Sequence, residues 1–153
     1  GVADSRRRIL VANTDGLHAT DEVTRVLFRV NVVADADGGK QTGYQSMGRT
    51  TGWEAFDEYD VAAMGSDAAR QAVVKLRARP APTGAMPVVI ARGTGGVLFH
   101  EACGHGLEAD HIAKDASVYA GRMGELVASE LVTLVDNGSM AGEWGALGID
   151  DEG

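Results

Sequence analysis

Cys103 is the only cysteine among 153 residues, so no intramolecular disulfide can form, and a reducing compartment suits the chain. Cations are also scarce: 14 Lys and Arg stand against 22 Asp and Glu, a net charge of -8. Phosphate backbones are bound by clustered Lys and Arg, so nucleic acid is not an expected partner. The one basic run, Arg6-Arg7-Arg8, reads as the solvated start of a strand. No apolar stretch approaches the length of a membrane span, and no membrane association is expected. The N-terminus lacks the charged, apolar and small-residue regions of a secretory leader, which makes the cytoplasm the expected location. The chain opens without Met and closes on Asp150-Asp151-Glu152-Gly153, as a fragment of a longer protein would.

Core material is present. Hydrophobic residues make up 44% of the chain and charged residues 24%, enough for one folded domain or part of one. The first third reads as an antiparallel meander. The apolar run Arg8–Asn13 ends in a Thr-Asp-Gly turn, with Leu17 opening the return. Between Thr24 and Val32, Val26, Phe28, Val30 and Val32 alternate with Arg25, Leu27, Arg29 and Asn31, the period of a half-buried strand. Asp35–Gly39 is a hairpin turn, and Lys40–Gly48 the returning strand. A helix is expected over Ser66–Arg79, with Ser66 as N-cap and Ala69, Ala72, Val73 and Leu76 on the packed face. Pro80–Pro87 breaks it, Val88–Ala91 reads as a short buried strand, and Arg92–Gly96 as a tight loop before a second helix near Val97. Glu125–Glu130 could be a helical turn, and Leu131–Val135 a strand closed by Asp-Asn-Gly. The fold class is therefore α+β: an antiparallel sheet with packed helices, one of them bearing the histidines. Order beyond those histidines is doubtful, because that segment should pack on parts outside the chain.

The densest chemistry lies in LFHEACGHGLEAD, Leu98–Asp110. His100 and His105 bracket Glu101. In the zinc-peptidase pattern HExxH the histidines are four apart and share a helix face, and the glutamate serves as base to the metal-bound water. Here they are five apart. At 3.6 residues per turn, five residues overshoot a full turn by roughly 140°, against roughly 40° for four. A regular helix would point the two rings apart. A π-bulge that absorbs one residue, or a helix ending near Gly104, would bring them together, and the glycines at 104 and 106 tolerate either. The helix is thus expected to be distorted at Cys103–His105. Taken alone, the triplet fits a metal site or a polar cluster equally well. Cys103 sits between the histidines on the same turn and reads as a small hydrophobe on the inner face. Glu108, Asp110 and His111 read as support for the ligands or as solvated surface. His18 reads as exposed.

GVLFHEACGHGLEAD resembles the signature of the TldD/PmbA family, TldD-type subunit. The resemblance extends over ILVANTDG, GWEAFD, ARPAPTGAMPVVIARGTGG and GRMGELVASELVTLVDNGSMAGEWGALGIDDEG. It implies a zinc metallopeptidase acting on small, unstructured peptides. His100 and His105 then match the Zn2+ ligands and Glu101 the catalytic base that activates the metal-bound water. The family's third protein ligand is a cysteine near its C-terminal end, expected outside this chain along with a C-terminal β-rich domain. A PmbA-type paralogous subunit is the implied heterodimer partner. The chain alone is expected to bind zinc poorly and to hydrolyse little. An extended peptide substrate could pair with a sheet edge. The alternative is a non-catalytic protein-interaction module, after the family's label as a gyrase modulator. A third reading takes Val88–Gly96 as an anion-cradling loop, but no Lys-Ser/Thr follows it, and Leu98 stands where a dinucleotide motif needs its third glycine.

Overall fold

A computed structural model describes residues 1–37 and 39–153. The chain divides into two compact units, Gly1–Ala81 with Asp136–Gly153, and Pro82–Val135. The first unit carries an antiparallel meander of β1 (Val2–Ala12), β2 (His18–Ala36) and β3 (Gly39–Arg49), in that spatial order. With the helices that follow, the fold is α+β as expected.

β1 begins at Val2, well before the apolar run that announced it. Arg6 and Arg8, in the middle of the strand, are charge-paired across the ladder, and such a stretch leaves no hydrophobic period to read. Arg8 pairs with Glu22 in register. The Glu22 carboxylate takes Arg6 at 2.5 Å and Arg8 at 2.7 Å, on a face that stays in solvent. Hydrogen bonds from Arg6 and then Arg8 hold its carboxyl below the usual glutamate range. The first hairpin is an Asn turn. Asn13 Oδ1 accepts the backbone N–H groups of Asp15 and Leu17 at 3.0 and 3.1 Å. In the second hairpin Ala36 pairs with Gly39; of the expected turn, Gly38 lies outside the described residues.

β2 is covered on opposite faces at its two ends. Val26 is buried, and Phe28, Val30 and Val32 are half-buried, on the face anticipated from their alternation. Val26, Met47 and Ala55 form the core there, with Phe28, Phe56, Tyr59 and Met64 against them. Nearer the start of β2 the covered face is the other one, with Val23 buried. The segment after Asp136 supplies that cover. The Thr50 N–H donates to Gly142 O at 3.0 Å, Arg49 pairs with Glu143 at 2.8 Å, and the Arg25 guanidinium lies 5.5 Å from the Trp144 ring centroid. Gly48 makes room for that indole: a Cβ there would stand 2.7 Å from it. The tail, expected to lack order, is thus built onto the sheet. The missing-parts expectation overlooked that β2 had a second face to cover.

Two helices follow β3, a single turn α1 (Ala55–Glu58) and the long α2 (Val61–Lys75). α2 starts before the expected Ser66 and stops before Arg79. Its N-cap is Asp60, whose carboxylate accepts the Ala63 N–H at 2.9 Å. Ser66 lies inside the helix and its hydroxyl donates back to Ala62 O at 3.0 Å. The buried positions are Ala68 and Ala72, while Val73, expected on the packed face, is 53% exposed. The cause is a close backbone approach. A Cβ at Gly43 of β3 would lie 1.8 Å from Ala68 O, so only the small side chains of α2 fit beneath it. The same approach covers the edge of β3. Tyr44 N donates to Gln71 Oε1 at 3.4 Å, and Lys75 Nζ to Thr42 O at 2.9 Å.

The second unit holds α3 (Thr94–Phe99), a π-helical turn over His100–Gly104, a 3-10 turn over His105–Leu107, and α4 (Ala109–Ala113). The strands expected at Val88–Ala91 and Leu131–Val135, and the helical turn at Glu125–Glu130, do not form. Val89 is 98% exposed and Leu131 96% exposed. An apolar run becomes a strand only beside a ladder to join, and none is present among the described residues of this unit. No helix among the described residues is long and apolar enough to cross a membrane.

Candidate metal centre

The histidines are delivered by one short, distorted helix. Gly93, at a φ of 92°, turns the chain into α3. The helix runs normally until the His100 N–H, which donates to the Gly96 and Val97 carbonyls. Five residues later the pattern differs. The His105 N–H donates to His100 O, a five-residue hydrogen bond. The spacing predicts a distortion at Cys103–His105; the turn that forms begins earlier, at His100, and closes on His105. A turn closed five residues apart stacks residue i over i+5, just as an α-turn stacks i over i+4. The His100 and His105 rings lie with centroids 4.3 Å apart and planes at 63°.

Glycine serves this turn differently from expectation. Gly104 has ordinary helical angles, φ -57° and ψ -52°, so conformational freedom is not what it contributes. A Cβ at Gly104 would sit 3.0 Å from His100 Nδ1, and one at Gly106 would sit 2.8 Å from the Tyr119 ring. Both positions need the absent side chain as space for a neighbouring ring. The Ser117 hydroxyl adds a hydrogen bond to Gly106 O at 2.5 Å. Ser117 and Tyr119 escaped sequence reasoning, because no period or motif links them to the histidines.

Glu101 stands beside the pair, with Oε2 3.7 Å from His105 Nε2. One donor atom from each of His100, Glu101 and His105 falls within 4.8 Å of the other two, all on exposed residues. The two imidazoles are nitrogen donors of the kind a divalent metal accepts, and the Glu101 carboxylate stands beside them. Glu108, Asp110 and His111 make a second such group. Glu108 reaches back to His105 Nδ1 at 2.9 Å, while Asp110 takes Lys114 at 3.2 Å. That lysine holds the Asp110 carboxyl below its usual range.

Cys103 turns away from the cluster. Its thiol donates to Phe99 O at 3.0 Å, and it lines an apolar recess of about 250 Å³ with Phe99, Leu107 and Tyr119. The inner-face reading of this residue matches its half-buried position. His18 is exposed at the start of β2.

Comparison with known proteins places these residues in context. Residues 1–76 match the PmbA/TldA metallopeptidase central domain, and residues 83–153 the PmbA/TldA metallopeptidase C-terminal domain. A metalloprotease TldD homolog of Haemophilus influenzae is 41% identical over 150 residues, 95% of this chain and 31% of the relative. One from Buchnera aphidicola is 37% identical over 159 residues, 99% of this chain and 33% of the relative. A metalloprotease of Methanothermobacter thermautotrophicus is 37% identical over 141 residues, 92% of this chain and 31% of the relative. The chain spans about a third of the length of the curated relatives it matches.

Proposed function

Because the chain belongs to the PmbA/TldD metallopeptidase family, we propose that it carries the zinc-binding and proton-transfer residues of a larger peptidase. His100 and His105 are the metal ligands and Glu101 is the general base. The observation that carries this reading is the π-helical turn: the His105 N–H bonds to His100 O, so two histidines that an α-helix would separate share one face. A helix rarely departs from its regular ladder without cause, and such turns concentrate at functional sites.

When bound, a zinc ion supplies Lewis acidity to the peptide carbonyl and acidifies a water toward neutrality. The chain's own residues do the rest. Glu101 is exposed and 3.7 Å from His105 Nε2, within reach of a water seated against the histidine pair. Its carboxylate takes the proton from that water as the water attacks the carbonyl carbon. It then gives the proton to the leaving amine, so one group serves both halves of the hydrolysis. A third protein ligand comes from elsewhere in the full-length protein, since Cys103 faces the apolar recess. The substrates are small, unstructured peptides, which bring an accessible backbone to an exposed site. The sheet offers them one edge, that of β1, because α2 side chains cover the edge of β3. A PmbA-type subunit completes the enzyme, in the cytoplasm.

The test is metal analysis with a peptidase assay on the full-length protein, with and without that partner. Glu101→Gln keeps the donor geometry and removes the base. The expected outcome is a loss of hydrolysis of about 10²–10⁴-fold with zinc content unchanged. Wild-type hydrolysis by this variant would remove Glu101 from the role.

A further inference from the structure

We infer that Glu108 and His111 are a positioning pair for His105: they fix its tautomer and hold Nε2 on the side of Glu101. The inference rests on the reading of His105 as a metal ligand and adds to it the two residues that make the ring a competent one.

Imidazole has two nitrogens and one neutral proton. Only the unprotonated nitrogen can bind a metal, so something must choose between them. At His105 the choice is made by Glu108. Its Oε1 lies 2.9 Å from His105 Nδ1. An ionised carboxylate only accepts, so Nδ1 carries the proton and Nε2 keeps its lone pair. Nε2 is the nitrogen that faces Glu101.

Glu108 is itself held at both ends. Its backbone leaves the helix, with ψ at 135°, and that break swings the side chain back across the preceding turn. Its carbonyl accepts the N–H groups of His111 and Ile112, each at 3.1 Å, and so starts α4. The carboxylate spans two imidazoles, with Oε2 3.4 Å from His111 Nε2 on the far side. The neighbouring Asp110 pairs with Lys114 and makes no hydrogen bond to His105 among the described residues. Ser117 and Tyr119 pin Gly106 beside His105. The backbone of the ring and the ring itself are thus fixed by separate contacts.

The experiment uses the full-length protein and zinc itself, with affinity read by competition against a chromophoric chelator. Glu108→Gln is isosteric and removes the obligate acceptor. The expected result is zinc affinity about 10–100-fold weaker, the usual effect of removing a carboxylate behind a ligating histidine. His111→Gln, which loosens Glu108 without touching His105, gives a smaller loss in the same direction. The cobalt-substituted protein reports on the ligand field directly, and its visible absorption shifts in Glu108→Gln. Wild-type affinity and an unshifted cobalt spectrum in both variants would overturn the pair. His105→Ala separates this from the underlying reading. If it abolishes zinc binding while Glu108→Gln does not weaken it, only the positioning role is lost. If His105→Ala retains zinc, both fall together.

Discussion

At Gly106 a single methyl group decides whether the histidine turn keeps its shape. A Cβ there would meet the Tyr119 ring at 2.8 Å and stand 3.5 Å from the Ser117 hydroxyl. Either the tyrosine moves or the 3-10 turn does, and His105 moves with it. Gly106→Ala in the full-length protein is therefore expected to cost about 1–3 kcal/mol of local packing. It should also lower zinc affinity, both read from a zinc titration followed by thermal unfolding. An unchanged affinity would show that His105 does not depend on this contact. Which residues make up the candidate site was partly legible at this scale. His100, Glu101 and His105 announce themselves by type and spacing, and Glu108 and His111 are visible as candidate support. What each touches was not legible, because side-chain direction beyond an irregular turn has no period to follow.

Among the elements, α2 is specified by its contact with β3 more than by its own pattern. Its hydrophobic positions suggested Ala69, Ala72, Val73 and Leu76 as the packed face; Ala72 is fully buried as expected, but Ala68 joins it there while Val73 is exposed. Gly43 explains the exchange. A β-carbon there would lie 1.8 Å from Ala68 O and 2.9 Å from Ala72 N. Backbone atoms cannot swing aside as a side-chain tip can. Gly43→Ala is expected to destabilise the fold by about 3 kcal/mol, seen as a lower denaturant midpoint. Gly65→Ala is the control. It lies in α2 with nothing within 4 Å of the added carbon, and should stabilise by about 0.5–1 kcal/mol as an ordinary helix substitution. Equal effects at the two positions would rule out the close approach. The π-helical turn teaches the converse lesson. Five-residue spacing between chemically matched histidines predicts a local distortion, and the distortion forms inside one short helix without help from sequence far away.

Over the whole molecule, burial is uneven. Val23, Val26, Met47, Ala55, Ala68 and Ala72 are the buried hydrophobic residues among those described, and all belong to the unit built on the sheet. The unit from Pro82 to Val135 keeps most of its large apolar side chains exposed, Val89, Met123 and Leu131 almost completely. Local stability follows buried contacts, so the two units should open with different free energies. Amide exchange on this chain is expected to show slow exchange in β2, β3 and α2. Exchange should be fast across Pro82–Val135, with little change on adding zinc. Strong protection at the histidine turn in the isolated chain would contradict this. The chain spans about a third of its relatives' length, which accords with a site that gains its rigidity within the full-length protein.

The amino-acid order alone determined whatever depends on neighbours close in the chain. The alternation of β2 set its inward face, the Asn13 and Asp60 side chains set a turn and a cap, and the histidine spacing set the π-helical turn. Tertiary structure decided what depends on a partner far along the chain. Val88–Ala91 and Leu131–Val135 have strand-like composition and no ladder to join. The tail after Asp136 gained order because the second face of β2 was uncovered. β1 extends back through Arg6 toward Val2, and Glu22, opposite Arg8 on β2, also reaches Arg6. Local geometry can be computed from residue spacing, but a surface becomes a core only when another surface arrives to exclude the water.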